Sequence, residues 1–286
     1  MCDDLIHPGL VDDPRLTRRA FGLIAVAATA TAATLPSAAV TEQDVMVKTP
    51  DGVCDAVLFT PAKTGKYSAV LIWPDIMGLR PAFRDMGRRL AARGHVVLVP
   101  NPFYRTKKAP VIEGPVDFGN PATRATLMGF RKAIGDAGAA RDATTYFAFL
   151  DAQKKTDRTR RAGVQGYCMG GTLSIITAAA LPDRIAAVAS FHGGNGLVTA
   201  EPNSPHLLIP KTKARFLMLQ AQNDDAQNPA MKDKLTAAFA AAHRPATVEV
   251  YPADHGWCVP GGAVYNQVQA ERAWAALTAL YRVALG

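Results

Sequence analysis

Only 4 of the 286 residues are cysteine, and no two of them form a C-x-x-C pair. A structural zinc site or a dense disulfide framework is therefore not expected. Basic residues do not cluster: the densest group, Arg158–Arg161, is three arginines and one threonine. No zinc-knuckle, helix-turn-helix or aromatic-basic RNA pattern accompanies the net charge of +8. Nucleic acid is thus not an expected partner. No run of about 20 apolar residues occurs beyond the first 40 positions, which excludes a multi-pass membrane protein. Apolar residues themselves are plentiful, 49% hydrophobic against 20% charged. That balance excludes a largely disordered or fibrous chain.

The first 39 residues read as an address. Thr17-Arg18-Arg19-Ala20-Phe21-Gly22-Leu23 is a twin-arginine pair followed by an aromatic and an aliphatic residue. A mildly apolar Ala/Thr stretch runs from Leu23 to Leu35, and Ser37-Ala38-Ala39 offers small residues for cleavage. This is the layout of a bacterial Tat export signal. It predicts a periplasmic or secreted protein whose partner in export is the Tat machinery, with no stable membrane insertion once the signal is removed. An uncleaved helix or N-terminal anchor is the alternative reading. Cleavage after Ala39 removes Cys2 and leaves Cys54, Cys168 and Cys258, an odd number. A bridge between Cys54 and Cys258 stays open in an oxidising compartment, and at least one thiol is left free.

From residue 45 onward apolar runs alternate with helical patterns. Val45–Thr49 and Val53–Thr60 read as a hairpin around Pro50-Asp51-Gly52. Ala69–Trp73, Val96–Val99, Ala162–Gln165, Ile185–Phe191, Ala214–Gln220 and Thr247–Tyr251 read as further strands. Helical spacing appears at Phe83, Met86 and Leu90, over roughly 122–152 with a break near Gly135 and Gly138, over Leu173–Leu181, at Met231, Leu235 and Phe239, and at Trp274, Leu277 and Tyr281. Residues 103–121 form a polar, proline-rich excursion long enough for a substrate loop or lid. Such alternation predicts one α/β domain over 40–286, a mostly parallel central sheet with helices on both faces.

The chemistry centres on Gly166-Tyr167-Cys168-Met169-Gly170, a G-x-C-x-G between a strand and a helix. The glycines permit a tight turn that lifts the sulfur above the sheet edge, at a helix N-terminus that favours negative charge. A thiol nucleophile needs a base and the base an orienter. His255 follows a predicted strand, and Asp224, favoured over its neighbour Asp225, follows another. The chain order nucleophile, acid, histidine is that of α/β-hydrolases. His192 stands at the end of another strand, facing the same rim, and could line the pocket or be satisfied by backbone.

On these motifs the chain resembles the dienelactone hydrolase (carboxymethylenebutenolidase) family of α/β-hydrolases, over roughly residues 45–284. Two further segments carry the resemblance. Trp73-Pro74-Asp75-Ile76-Met77-Gly78-Leu79 is similar to the loop that supplies one oxyanion-hole amide, here Ile76, with Met169 supplying the other. The family's glutamate, which takes part in generating the thiolate, is Asp75 in this chain; the alternative role for Asp75 is to cap the turn that follows. Pro100-Asn101-Pro102-Phe103-Tyr104-Arg105 matches the segment with a substrate-carboxylate arginine, which falls on Arg105. A second family arginine is replaced by Val259.

The resemblance implies an enzyme that cleaves a carboxylic ester or enol-lactone through Cys168, His255 and Asp224 and an acyl-thioester, with a small-molecule substrate and no metal or organic cofactor. A short-chain carboxylesterase or thioesterase with the same machinery is the runner-up, and a binding or thiol-redox protein on the same scaffold stands behind it.

Overall fold

A computed structural model describes residues 39–114, 116–117 and 119–286. The expected export signal lies outside these residues. β1 (Val40–Thr49) and β2 (Gly52–Pro61) form the expected hairpin, paired antiparallel from Val40↔Pro61 to Thr49↔Gly52. β3 (Ser68–Trp73), β4 (His95–Pro100), β5 (Ala162–Tyr167), β6 (Ile185–Phe191), β7 (Arg215–Ala221) and β8 (Ala246–Tyr251) complete one eight-stranded sheet, ordered β1-β2-β4-β3-β5-β6-β7-β8. All pairings from β4 to β8 are parallel. The described residues belong to a single compact unit.

The sheet is covered on both faces because its central strands are apolar at nearly every position, not at alternate ones. Every residue of β3 is buried, and its side chains divide between two layers. Ala69, Leu71 and Trp73 enter the layer built by α3 (Asp136–Asp151), α4 (Met169–Ala180) and α6 (Ala230–Ala241). Val70 and Ile72 enter the layer of α1 (Pro81–Ala91) and α7 (Gln267–Leu285). The order of strands reverses between β3 and β5, so the connections that follow these two paired strands leave in opposite directions, the place where open α/β sheets hold ligands.

Several boundaries are set by single residues. Pro81 opens α1, where its missing N–H costs nothing. The Asn120 side chain caps α2 (Pro121–Ile134) by accepting from the amides of Ala122 and Thr123. Gly135, at φ 59°, makes the break before α3, whereas Gly138 lies inside that helix.

The first part of the excursion after β4 is tied down. Phe103, Tyr104 and Val111 enter the core, and the Asn101 amide donates to Asp55 (3.0 Å) and to the Lys107 carbonyl (2.8 Å). A short helix, α5 (Gln222–Gln227), and 3-10 turns at Gly194–Leu197 and Pro205–Lys211 were not legible as elements. Among the described residues no helix is long and apolar enough to cross a membrane. Cys54 and Cys258 are not bridged. Both are free and buried, Cys54 in the α3/α4 layer and Cys258 in the α1/α7 layer, so the sheet itself stands between them.

Candidate active site

Cys168 occupies the sharp turn between β5 and α4. Its backbone stands at φ 53°, ψ −120°, a conformation strongly disfavoured for a side-chain-bearing residue. The flanking glycines make the turn possible. A Cβ on Gly166 would lie 1.9 Å from the Gly170 carbonyl oxygen, and one on Gly170 would lie 2.4 Å from the Trp73 carbonyl oxygen. The first contact closes the elbow on itself. The second brings the α4 N-terminus against the end of β3. The Cys168 amide donates to the Phe191 carbonyl at 3.0 Å, fixing the turn to β6. The side chain itself is half-buried.

That approach sets the Ile76 loop beside the turn. The amides of Ile76 and Met169 have no backbone acceptor among the described residues, for Met169 as expected of a helix's first residue. Asp75 stabilises the loop. It is 6% exposed; its carboxylate accepts from the Met77 amide at 2.9 Å and takes a two-pronged grip from Arg80, at 2.6 and 2.7 Å. Arg80 also donates to the Gly78 carbonyl. Asp75 is therefore a tether of its own loop. Arg80 was not singled out in the sequence; its signal was a cation immediately before the helix-opening Pro81, five residues after a carboxylate.

His255 stands on the loop after β8, with its Nδ1 2.7 Å from Asp224 Oδ2. Asp224 is buried on α5. The two loops are stitched together: Asn223 Oδ1 accepts from the His255 amide (2.9 Å), the Gln222 amide donates to the Ala253 carbonyl (3.0 Å), and the Gln222 side chain donates to Asp254 (3.0 Å). Asp225 faces elsewhere, held by Lys232 at 2.8 and 2.9 Å. Burial alone would favour the neutral imidazole of His255. The Asp224 carboxylate, with Cys168 as the ring's other partner, overcomes it and raises the pKa to about 10. The elements after β5, β7 and β8 thus bring Cys168, Asp224 and His255 together.

His192 lies in the same cluster, 1% exposed, at φ 40°. Its ring meets His255 edge to face, centroids 4.7 Å apart, and Trp257 at 5.3 Å. Burial, with the His255 charge beside it, holds its pKa well below the ordinary range, so it stands as a neutral wall of the histidine. Cys258 is buried close by and its thiol is pushed up in pKa by that burial.

Arg105 is placed differently from the expectation of a carboxylate clamp. Its guanidinium donates to Asp142 at 2.7 and 2.8 Å and to Asp51 at 2.5 and 3.2 Å, and it stacks over the Tyr104 ring. Asp142 is fully buried on α3, and Asp51 sits in the β1–β2 turn. That turn is three strand positions from β5, roughly 14 Å at about 4.8 Å per strand. Val259 is buried. Among the described residues no cluster of three or more His, Cys, Asp or Glu side chains is arranged to hold a metal ion.

Known proteins resemble the chain over most of its length. The model of the dienelactone hydrolase family matches residues 54–285. A "Putative carboxymethylenebutenolidase" of Methylorubrum extorquens is 28% identical over 248 residues, covering 84% of this chain and 80% of the relative. A carboxymethylenebutenolidase of Rhodococcus opacus is 30% identical over 130 residues, 46% of each chain. Among solved structures, a dienelactone hydrolase-like promiscuous phosphotriesterase from metagenomic libraries superimposes with a TM-score of 0.69 at 20% identity, over 87% of this chain and all of that one. That likeness speaks for the fold.

Proposed function

The chain belongs to the dienelactone hydrolase family and is a hydrolase, and from that premise we propose that it cleaves a carboxylic ester or enol-lactone by covalent catalysis at Cys168. The observation that carries this reading is the placement of the His255 imidazole between Asp224 and Cys168.

In the proposed cycle the Cys168 sulfur, as thiolate, attacks the carbonyl carbon and a C–S bond forms. The carbonyl oxygen becomes an oxyanion that accepts from the Ile76 and Met169 amides, whose fixed dipoles need no reorganisation as charge develops. The intermediate collapses with cleavage of the C–O bond. His255, carrying a proton at neutral pH, gives it to the departing alkoxide or enolate. A water then attacks the thioester, losing a proton to His255, and the acid product leaves with the thiolate restored. Asp224 orients the imidazole through Nδ1, so that Nε2 serves the reacting groups. Asp75 acts through its loop, keeping the Ile76 amide in place.

We further propose that residues 1–39 direct Tat export, to be tested by following compartment and mass of the protein with Arg18 and Arg19 both replaced by lysine. The catalytic reading is tested by turnover of short aryl esters, thioesters and enol-lactones by the protein and by its Cys168→Ala form. It expects hydrolysis in the first and a loss of about 10³-fold or more in the second.

A further inference from the structure

Resting on the hydrolase reading above, we infer that the acyl substrate is uncharged: a neutral ester or lactone, bearing no carboxylate of its own. A carboxylate bound in a partly dehydrated crevice needs a cation whose donors are free. Among the described residues, the arginines on the loops after β3 and β4 are already neutralised from within the chain. Arg105 spends Nε and both terminal nitrogens on Asp142 and Asp51, and Arg141 shares Asp51 at 2.8 Å, so this cluster of two guanidiniums and two carboxylates sums to zero. Turning Arg105 toward a ligand would leave Asp142, fully buried, without its counter-ion.

Arg80 stands next to the crevice and is equally occupied. Its two terminal nitrogens close a ring on the Asp75 oxygens, again a net charge of zero. Releasing it would free the loop that carries the Ile76 amide, so binding an anion there would work against stabilising the oxyanion. Position 259, close behind His255, offers an aliphatic side chain that is 4% exposed. Of the lysines that follow Arg105, Lys107 donates to the Val111 carbonyl, and exposed Lys108 shares its groove with Asp44, Asp55, Arg80 and Arg84, the two arginines being held by Asp75 and by Glu42 with Asp44. An anionic substrate would thus enter with its charge unpaired, and a site that cannot pair a buried group discriminates strongly against it.

The test compares substrates that differ by one charge. Mono-p-nitrophenyl succinate is set against its methyl ester, and a carboxylate-bearing enol-lactone against the corresponding methyl ester. The protein is expected to favour each neutral partner at least about tenfold in kcat/KM. Equal or better turnover of the carboxylates, abolished by Cys168→Ala, would overturn the inference while leaving the hydrolase reading intact. A second arm does not depend on turnover: binding of monomethyl succinate and of dimethyl succinate to the Cys168→Ala protein, followed by calorimetry. Tighter binding of the monoanion overturns the inference whatever the kinetics show; tighter binding of the diester supports it. Absence of turnover with every substrate would count against the hydrolase reading, and the binding arm would still decide the charge.

Discussion

Asp224 Oδ2 lies 2.7 Å from Nδ1 of His255, while the adjacent Asp225 is turned to Lys232. The backbone of α5 separates two neighbouring carboxylates, of which the sequence favours the first. Asp224→Asn should lower the His255 pKa from about 10 toward its ordinary 6.5 and cut kcat by about 10² to 10⁴-fold, whereas Asp225→Asn should change kcat less than about threefold. Imidazole titration by NMR and steady-state kinetics on both variants check this.

The same pair makes stability depend on pH. A histidine whose pKa is raised in the folded state stabilises it fully below the unfolded value, near 6.5, and loses that contribution as pH rises through the folded value, about 10. The Tm of the protein should therefore decline between pH 7 and 10, and should decline less in Asp224→Asn. Thermal melts across that window compare the two slopes; equal slopes would contradict the assignment.

Gly170 is required by close approach, since a Cβ there would lie 2.4 Å from the Trp73 carbonyl oxygen and 2.7 Å from that of Pro74. Neither oxygen belongs to a flexible side chain that could yield. Gly170→Ala should destabilise the protein by about 2–4 kcal/mol and reduce kcat in the fraction that folds, as α4 moves away from the Ile76 loop. Urea denaturation with activity measured on the refolded protein reads both effects.

Arg80→Met should act on rate more than on binding. With Asp75 released, the Ile76 amide loses its fixed position, and a misplaced oxyanion donor costs about 10² to 10³-fold in kcat. KM should move less than about threefold, and Arg80→Lys should recover only part of the loss because one ammonium cannot reproduce the two-pronged grip. Steady-state kinetics of both variants distinguish this from general loosening, which would raise KM as well.

The fold was legible because its strands are continuous apolar runs separated by helical spacing, and the positions of Cys168, Asp224 and His255 followed from the places where those strands end. What was not legible came from contacts distant in sequence. Arg105 reads as a free loop cation until α3 sets Asp142 beside it. A signal did exist: Asp142 falls on the buried stripe of α3 with Ala139, Ala143, Tyr146 and Leu150, and a carboxylate on such a stripe needs a partner. The wall made by His192 depends on loop geometry, which residue patterns do not encode, and the tether from Arg80 to Asp75 had only the weak signal of a cation five residues after a carboxylate.

Arg105 is accordingly expected to matter for stability. Arg105→Met should cost about 3–5 kcal/mol, by leaving the buried Asp142 carboxylate uncompensated, while leaving the ratio of kcat/KM for neutral and carboxylate-bearing esters unchanged. Denaturation curves and the paired assays check the two halves separately.

The account turns on a covalent bond at one sulfur. Intact-protein mass spectrometry of samples acid-quenched during turnover of a slowly hydrolysed aryl ester tests it most directly. The account predicts a mass increase equal to one acyl group, mapped by peptide analysis to Cys168, lost on alkaline hydroxylamine treatment and absent from Cys168→Ala. Hydrolysis at an undiminished rate by Cys168→Ala, or an acyl group carried on another residue, would contradict it.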